Sequence, residues 1–369
     1  MIYKNFKGTK LSLLGLGAMR LPQKGEGWGM PIIHDEAEEL IDYALANGIN
    51  YFDTAYIYHG GESEVLLGNA LKKHPRESFY VADKYSMNAE PDYKKQFETQ
   101  LERLQMDYID FYLLHAVQDT NIEKYLSNGC IEYFEELKSQ GKIKHLGFSF
   151  HGSPEAMERM TAHRQWDFCL MQLNYLDWHH NNAKVLYDHL VEKGIAVQVM
   201  EPVHGGLLAR LNDEAAAPLL AADHDASLAS WALRFVAELP GVAVVLSGMS
   251  NIEQAADNIA TISKLQPLTA EEHATILEAS TIFNRTIGVT CTDCRYCVKD
   301  CPKGLAIPYL LHTYNSSRTG GEWRLNRLAA LNVDKQPAAC ISCGVCVKIC
   351  PQNLDIPKFM NEMAGVLAK

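Results

Sequence analysis

The stretch Asn50-Tyr-Phe-Asp53-Thr-Ala-Tyr-Ile-Tyr58-His-Gly-Gly-Glu62-Ser63 reads as a short apolar strand that ends on an acid and passes through a glycine-bearing loop into a helix. Two later segments, Phe79-Tyr-Val-Ala-Asp-Lys84 and Ile109-Asp-Phe-Tyr-Leu-Leu-His115, repeat the form, each a β-rich run closing on a titratable side chain. If these strands are parallel neighbours, Asp53, Lys84 and His115, with Tyr58 in the first loop, converge on one rim.

The rest of the chain supplies the neighbours. From Asp35 to Asn47 the residues Ala37, Leu40, Ile41, Ala44 and Leu45 keep helical spacing, with Asp35 the expected cap and Gly48 the stop. The first strand is expected within Leu11–Arg20, after an opening segment that could fold as a hairpin under the sheet. Further strands are expected near 50–53, 79–84, 109–114, 145–149, 168–173, 195–200 and 242–247, with helical patterns between them. Ser153-Pro154-Glu155 and Ser250-x-x-Glu253 have the form of helix starts. This alternation fits either a closed barrel or a doubly wound open sheet. Polar residues at nearly every strand end favour the single rim of a (β/α)8 TIM barrel, because an open sheet concentrates its site at one switch point. Gly15-x-Gly17 is half of a dinucleotide fingerprint, but Arg20 stands at the third glycine position, and a tight turn accounts for the pair.

A bare barrel needs about 250 residues, so a chain of 369 is expected to hold the barrel over 1–285 and a smaller domain over 286–369. No run of about 18 apolar residues occurs, which argues against a signal peptide or membrane span and for a cytoplasmic protein. The net charge of −11 is uneven: residues from 288 onward carry ten Lys/Arg and six Asp/Glu, hence +4 against −15 for the remainder. The basic tail lacks aromatic interleaving, so nucleic acid is not an expected partner.

Eight of the ten cysteines fall in two compact runs. Cys291-x2-Cys294-x2-Cys297-x3-Cys301-Pro302 recurs 49 residues later as Cys340-x2-Cys343-x2-Cys346-x3-Cys350-Pro351, and each run leads into Leu-x-Ile-Pro and an amphipathic stretch. Three consecutive steps with a trailing Cys-Pro are the pattern of bacterial two-cluster ferredoxins, whereas structural zinc sites usually pair C-x2-C halves. In that arrangement the fourth cysteine of each run serves the other cluster. One 4Fe-4S centre is then expected on Cys291, Cys294, Cys297 and Cys350, and a second on Cys340, Cys343, Cys346 and Cys301. Two such clusters, each about −2 with its thiolates, would offset the local positive charge. The domain is expected to be mostly helical, and the remaining Cys130 and Cys169 to be buried hydrophobes.

The order Asp53, Tyr58, Lys84, His115 resembles the tetrad of the aldo/keto reductases. The resemblance extends through Gly147-Phe-Ser149, Met171-Gln172-Leu-Asn174, Met200-Glu201-Pro202-Val-His-Gly205-Gly206-Leu207 and Ser247-Gly248-Met-Ser250-Asn-Ile-Glu253-Gln254 with Asn258. It covers nearly all of residues 8 to 285, and with the cysteine tail it is similar to a ferredoxin-tailed branch. It implies reduction of an aldehyde or ketone by NAD(H) or NADP(H), or the reverse oxidation of an alcohol, with Tyr58 as proton donor. Lys84 would lower the pKa of Tyr58, Asp53 would hold Lys84 charged, and His115 would orient the carbonyl. Cofactor contacts are implied at Gly17, Arg20, Ser149, Gln172, Asn174, Gly205, Gly206, Leu207, Gly248, Ser250, Gln254 and Asn258. Gln254 stands where many relatives carry an arginine for the 2′-phosphate, which tilts the expectation toward NADH.

The clusters would connect the enzyme to a one-electron carrier or hold the tail together. A nicotinamide-binding sensor or scaffold with little turnover is the alternative, disfavoured by a complete tetrad. A radical enzyme using S-adenosylmethionine would need three cysteines near the first strand, and no cysteine precedes Cys130.

Overall fold

The structure, a computed structural model, describes residues 1–25, 30–180, 182–320 and 322–368. It divides into two compact units, Met1–Val203 with Ala229–Ala270, and His204–Leu228 with Glu271–Lys369.

The first unit opens with the hairpin β1 (Tyr3–Phe6) and β2 (Thr9–Ser12). Eight strands follow: β3 (Leu14–Gly17), β4 (Tyr51–Asp53), β5 (Tyr80–Tyr85), β6 (Ile109–Val117), β7 (Ile143–Phe150), β8 (Phe168–Gln172), β9 (Ala196–Met200) and β10 (Val242–Ser247). They pair in parallel in chain order, and β10 returns to β3 to close the barrel. Leu11 and Ser12, read as the start of the first barrel strand, belong to the hairpin instead.

Alternation along the strands decides which side chains enter the barrel. Phe111 with Leu113, Phe168 with Leu170, and Val244 with Leu246 share one core with Tyr51 and Ala82, which Phe6 and Leu11 of the hairpin extend. Each such fully buried side chain stabilises the fold by about 1.5–3 kcal/mol. The Tyr51 hydroxyl inside this layer donates to Gln198 Oε1 at 2.8 Å, so its burial leaves no unmet donor. Gly147 is required by packing, because a Cβ there would lie 2.6 Å from the Phe168 carbonyl oxygen.

Two helix starts differ from expectation. The first long helix is His34–Ala46, entered from Ile33 without a side-chain cap, and Asp35 sits in its first turn where the helix dipole favours an acid. The helix after β10 is Ile252–Ser263; Asn251 caps it through the Gln254 amide at 2.9 Å, and Ser250 lies one residue outside. Ser153 does cap Pro154–His163, accepting from the Ala156 amide at 3.2 Å.

The second unit holds no strand among its described residues. Its two cysteine runs repeat in backbone conformation as in sequence. Asp293 and Ser342, Arg295 and Gly344, and Gly304 and Asn353 are equivalent positions, and all six have positive φ. Four of the six are not glycine, so the strain is held by the surrounding loop. Each run then leads to a helix, Ile307–Gly320 and Ile356–Leu367, the second with Pro357 in its first turn and Asp355 as cap. Leu305, Ile307, Leu310, Leu311, Ile356, Met360 and Met363 form the apolar core between them. No described helix of either unit is long and apolar enough to cross a membrane.

Candidate active site and cysteine cavities

Strand register sets the first group of side chains. Asp53 closes β4, Lys84 is the penultimate residue of β5, and His115 lies two residues before the end of β6. Tyr58 opens the tight turn Tyr58–Gly61, in which His59, Gly60 and Gly61 all have positive φ. At Gly61 a Cβ would also lie 2.6 Å from the Arg103 guanidinium, which would have to shift. The turn folds Tyr58 back over the strand ends, and all four residues are buried.

Lys84 Nζ donates to Asp53 Oδ1 and to the Thr54 carbonyl, both at 2.6 Å, and lies 4.9 Å from the centre of the Tyr58 ring. The His115 ring meets the Tyr58 ring edge-on at 5.9 Å. Sequence reasoning thus placed four side chains on one rim, and the structure brings them together.

The electrostatics differ from expectation at one point. Burial drives the Tyr58 phenol well above its ordinary pKa, and the nearby carboxylates of Asp53 and Glu201 push it further, against a smaller opposing effect of Arg20. Lys84 was expected to lower it. Its charge is instead engaged by Asp53 at 2.6 Å, so Tyr58 stays a neutral phenol. Burial likewise raises the Asp53 carboxyl, with the adjoining ammonium opposing. His115 is held well below the usual imidazole range, first by burial and then by Lys84 and His151, and is a neutral ring.

The remaining rim residues fall into three groups. Ser149 Oγ accepts from the Ala116 amide at 2.7 Å, at the end of β7. On the neighbouring strand end, the side-chain amides of Gln172 and Asn174 both donate to Asp177 Oδ2 at 2.7 Å, and Asn174 also reaches the Glu201 carbonyl at 3.1 Å. Across the β10–β3 closure, Ser250 Oγ donates to the Arg20 carbonyl at 2.8 Å, and the space over Gly248 is filled by the Arg20 side chain. Gly17 lies beside the Ser247 carbonyl, and Asn258 donates to Ser247 Oγ at 2.9 Å. Gln254 Oε1 accepts from the Ser250 amide at 2.8 Å, the reciprocal bond expected of Glu253.

Gly205, Gly206 and Leu207 belong to the second unit. Cofactor contacts were expected at these residues. At Gly205 the close neighbour is protein: φ is +64°, and a Cβ would lie 2.3 Å from the Thr292 carbonyl oxygen.

Residues that sequence reasoning missed include Thr54, whose carbonyl holds Lys84, and Asp177, which collects two amides. Asn174-x-x-Asp177 has helix-start spacing, and the Asp177 amide does donate to Asn174 Oδ1 at 2.9 Å, so that signal was present. Glu201 was quoted only within its motif, yet it has φ +56° and lies 4.0 Å from Arg20.

In the second unit two cavities are lined by cysteine. One has Cys301, Cys340, Cys343 and Cys346 on its walls with Leu305, Ile307 and Met360. The other has Cys291, Cys294, Cys297 and Cys350. Each therefore takes three cysteines from one run and the last from the other. They differ in exposure: Cys343 is exposed in the first, whereas Cys291, Cys297 and Cys350 are buried in the second.

Comparison with known proteins identifies two families along the chain; the first match runs through 204–228 and 271–281, which pack with the second unit. Residues 13–281 match the model of the aldo/keto reductase family, and residues 290–354 that of a 4Fe-4S dicluster domain. The chain is 28% identical over 308 residues to L-galactose dehydrogenase of Arabidopsis thaliana, covering 77% of this chain and 94% of that protein. Aldo-keto reductase AKR11C1 from Bacillus halodurans, in its holo form, is 29% identical with a TM-score of 0.63, over 76% of this chain and 96% of that one. An aldo-keto reductase from Klebsiella pneumoniae in complex with NADPH shares the fold, with a TM-score of 0.60 at 20% identity, over 77% of this chain and 96% of that one. A match over more than half of the chain decides the assignment: this protein is an oxidoreductase of the aldo/keto reductase family and carries a 4Fe-4S dicluster domain.

Proposed function

We propose that the chain reduces a small aldehyde or ketone to its alcohol with a nicotinamide cofactor, or runs the reverse reaction. The observation that carries this reading is the Lys84 ammonium held between Asp53 and the Thr54 carbonyl at 4.9 Å from the Tyr58 ring, with the His115 ring edge-on to that ring at 5.9 Å.

A bound nicotinamide supplies or takes up the hydride. The chain's part is to manage the proton and the oxygen. Tyr58, neutral in a buried site, carries the proton that a developing alkoxide requires. As that proton leaves, the phenolate charge forms next to Lys84, whose ammonium offsets it, while Asp53 keeps Lys84 charged and fixed. Neutral His115 donates a hydrogen bond that holds the carbonyl oxygen toward Tyr58. The raised Tyr58 pKa keeps the proton in place before reaction but makes the phenol a weaker acid, so its donation depends on the adjoining Lys84 ammonium.

The donor set fits the cofactor. Ser149, Gln172 and Asn174 bring a hydroxyl and two carboxamides to adjacent strand ends, which suits an amide-bearing ring. Gly17, Arg20, Gly248, Ser250, Gln254 and Asn258 gather where β3 meets β10, beside a helix N-terminus suited to phosphate. Between Ser247 and Ser263 there is no Lys or Arg, so the reading favours NADH.

The tail reading assigns one 4Fe-4S cluster to each cysteine cavity, with residues 1–285 as the reductase domain and 286–369 as the cluster domain. The clusters serve structure or exchange electrons with a one-electron carrier. The test is a panel of aldehydes and ketones with NADH and NADPH deuterated at the transferable position. Deuterium at the carbinol carbon of a product is the expected outcome. Cofactor binding without transfer across the panel would contradict the reading.

A further inference from the structure

We propose that Asp83 and Glu64 form a proton-sharing carboxyl pair that positions Lys84 from behind and, through Arg103, the turn carrying Tyr58. The proposal rests on the reading of Lys84 and Tyr58 given above, and it concerns residues that touch neither substrate nor cofactor.

Alternation along β5 turns Asp83 away from Lys84, toward the helices Glu62–Leu71 and Tyr93–Leu104. Asp83 and Glu64 are both fully buried. Asp83 Oδ1 accepts from the Lys84 backbone amide at 2.8 Å. No donor among the described residues reaches Asp83 Oδ2. Gln100 Nε2 bonds both Glu64 Oε1 and the Lys84 carbonyl, which brings the Glu64 carboxyl beside the peptide that Asp83 holds, and two buried acids that meet there share a hydrogen bond only with a proton between them.

The partners of Glu64 locate that proton. Glu64 accepts from Arg103 Nη1 at 2.6 Å and from Gln100 Nε2 at 3.2 Å, so it is the ionised member and Asp83 the protonated one. Burial, followed by the charge of Glu64, holds the Asp83 carboxyl well above the usual range, in agreement with the contacts. One positive charge on Arg103 then balances one negative charge on Glu64. A second buried carboxylate would have no partner and would face a large desolvation cost.

The assembly grips both polar groups of the Lys84 peptide. Its N–H goes to Asp83, and its carbonyl accepts from Gln100 Nε2 at 3.1 Å, while Gln100 Oε1 takes the Tyr112 hydroxyl at 2.5 Å. Arg103 extends the grip to the turn: it lies 4.5 Å from the Tyr56 ring centre, donates to the Tyr56 carbonyl at 3.4 Å, and fills the space that Gly61 leaves. Tyr56 and Gly61 bracket Tyr58. Among the described residues, Asp53 is the carboxylate paired with the Lys84 ammonium.

The test compares Asp83→Asn with Asp83→Ala in the full-length holoenzyme. A carboxamide offers one acceptor and one donor, as a protonated carboxyl does. Asp83→Asn is therefore expected to keep kcat within about three-fold and leave the pH profile in place. Asp83→Ala is expected to lower kcat by about ten-fold or more with cofactor KM little changed, the signature of a displaced group in the reacting geometry. An infrared difference spectrum of the parent minus Asp83→Asn should show the carbonyl stretch of a protonated carboxyl. This readout needs no turnover, so it stands even if the proposed reaction is wrong or the alanine variant fails to fold. A carboxylate band in that spectrum, or an asparagine variant as impaired as the alanine one, would overturn the proposal.

Discussion

Lys84 Nζ and Asp53 Oδ1 lie 2.6 Å apart with almost no exposure to solvent, an ion pair between the ends of two adjacent strands. Both charges have left water, so each depends on the other. Asp53→Ala leaves the ammonium buried without its counter-charge and is expected to cost about 3–5 kcal/mol of stability. Urea unfolding measures this as a lowered midpoint at constant slope. An Asp53→Ala protein as stable as the parent would show that the pair is not buried in solution.

At the other end of the barrel, the His145 ring packs 4.8 Å from Phe111 and 4.9 Å from Phe6. Burial lowers its pKa to about 4. Its unfolded counterpart titrates near 6.5, so between about pH 6.5 and pH 4 the unfolded chain binds a proton that the native state refuses. The contribution of His145 is complete above pH 6.5 and is lost as the pH falls toward 4. His145→Gln should flatten the fall in stability across that window by up to one proton's worth, read from urea midpoints at several pH values. An unchanged slope would contradict a buried neutral ring.

Cofactor preference turns on Gln254, whose side chain is already engaged with the Ser250 amide. Gln254→Arg should raise the ratio of kcat/KM for NADPH over NADH by on the order of ten- to a hundred-fold, the size of a charge-assisted phosphate contact. The parent should favour NADH. A parent enzyme preferring NADPH ten-fold or more would show that a cation from elsewhere already holds the 2′-phosphate.

The cysteine cavities make a prediction that does not depend on the barrel. If each holds one cluster, the protein assembled anaerobically carries about eight irons, and losing one site leaves about four. Because Cys301 lines the cavity of the second run, Cys301→Ser should disturb the same electron paramagnetic resonance signal as Cys340→Ser. Cys350→Ser should instead match Cys291→Ser. If Cys301→Ser altered the signal of the Cys291 centre, the two runs would not be interleaved.

Much of this was legible in the sequence because the barrel repeats a simple rule. Strands ending in Asp53, Lys84 and His115 could be read as one rim before any register was known, and regular cysteine spacing announced the second unit. What escaped had no local signature. Asp83 reads as one more polar residue at a strand end until the helices bring Glu64 and Arg103 against it from 19 residues before and 20 after. The direction of the Tyr58 shift depends on burial and on the Asp53 and Glu201 carboxylates drawn from two strand ends, which pairwise reasoning about Lys84 could not supply. The cap assignment failed by one residue, since Asn251 and Ser250 are equally good cap types and only backbone geometry separates them.

The account centres on Tyr58 as the proton donor, and the direct measurement is steady-state turnover of Tyr58→Phe on the parent's best carbonyl substrate, with cofactor affinity measured alongside. Removing the hydroxyl is expected to lower kcat by about 10²-fold or more, the usual scale of a lost general acid. Cofactor affinity should stay near that of the parent. A Tyr58→Phe enzyme that turns over at a near-normal rate would contradict the assignment.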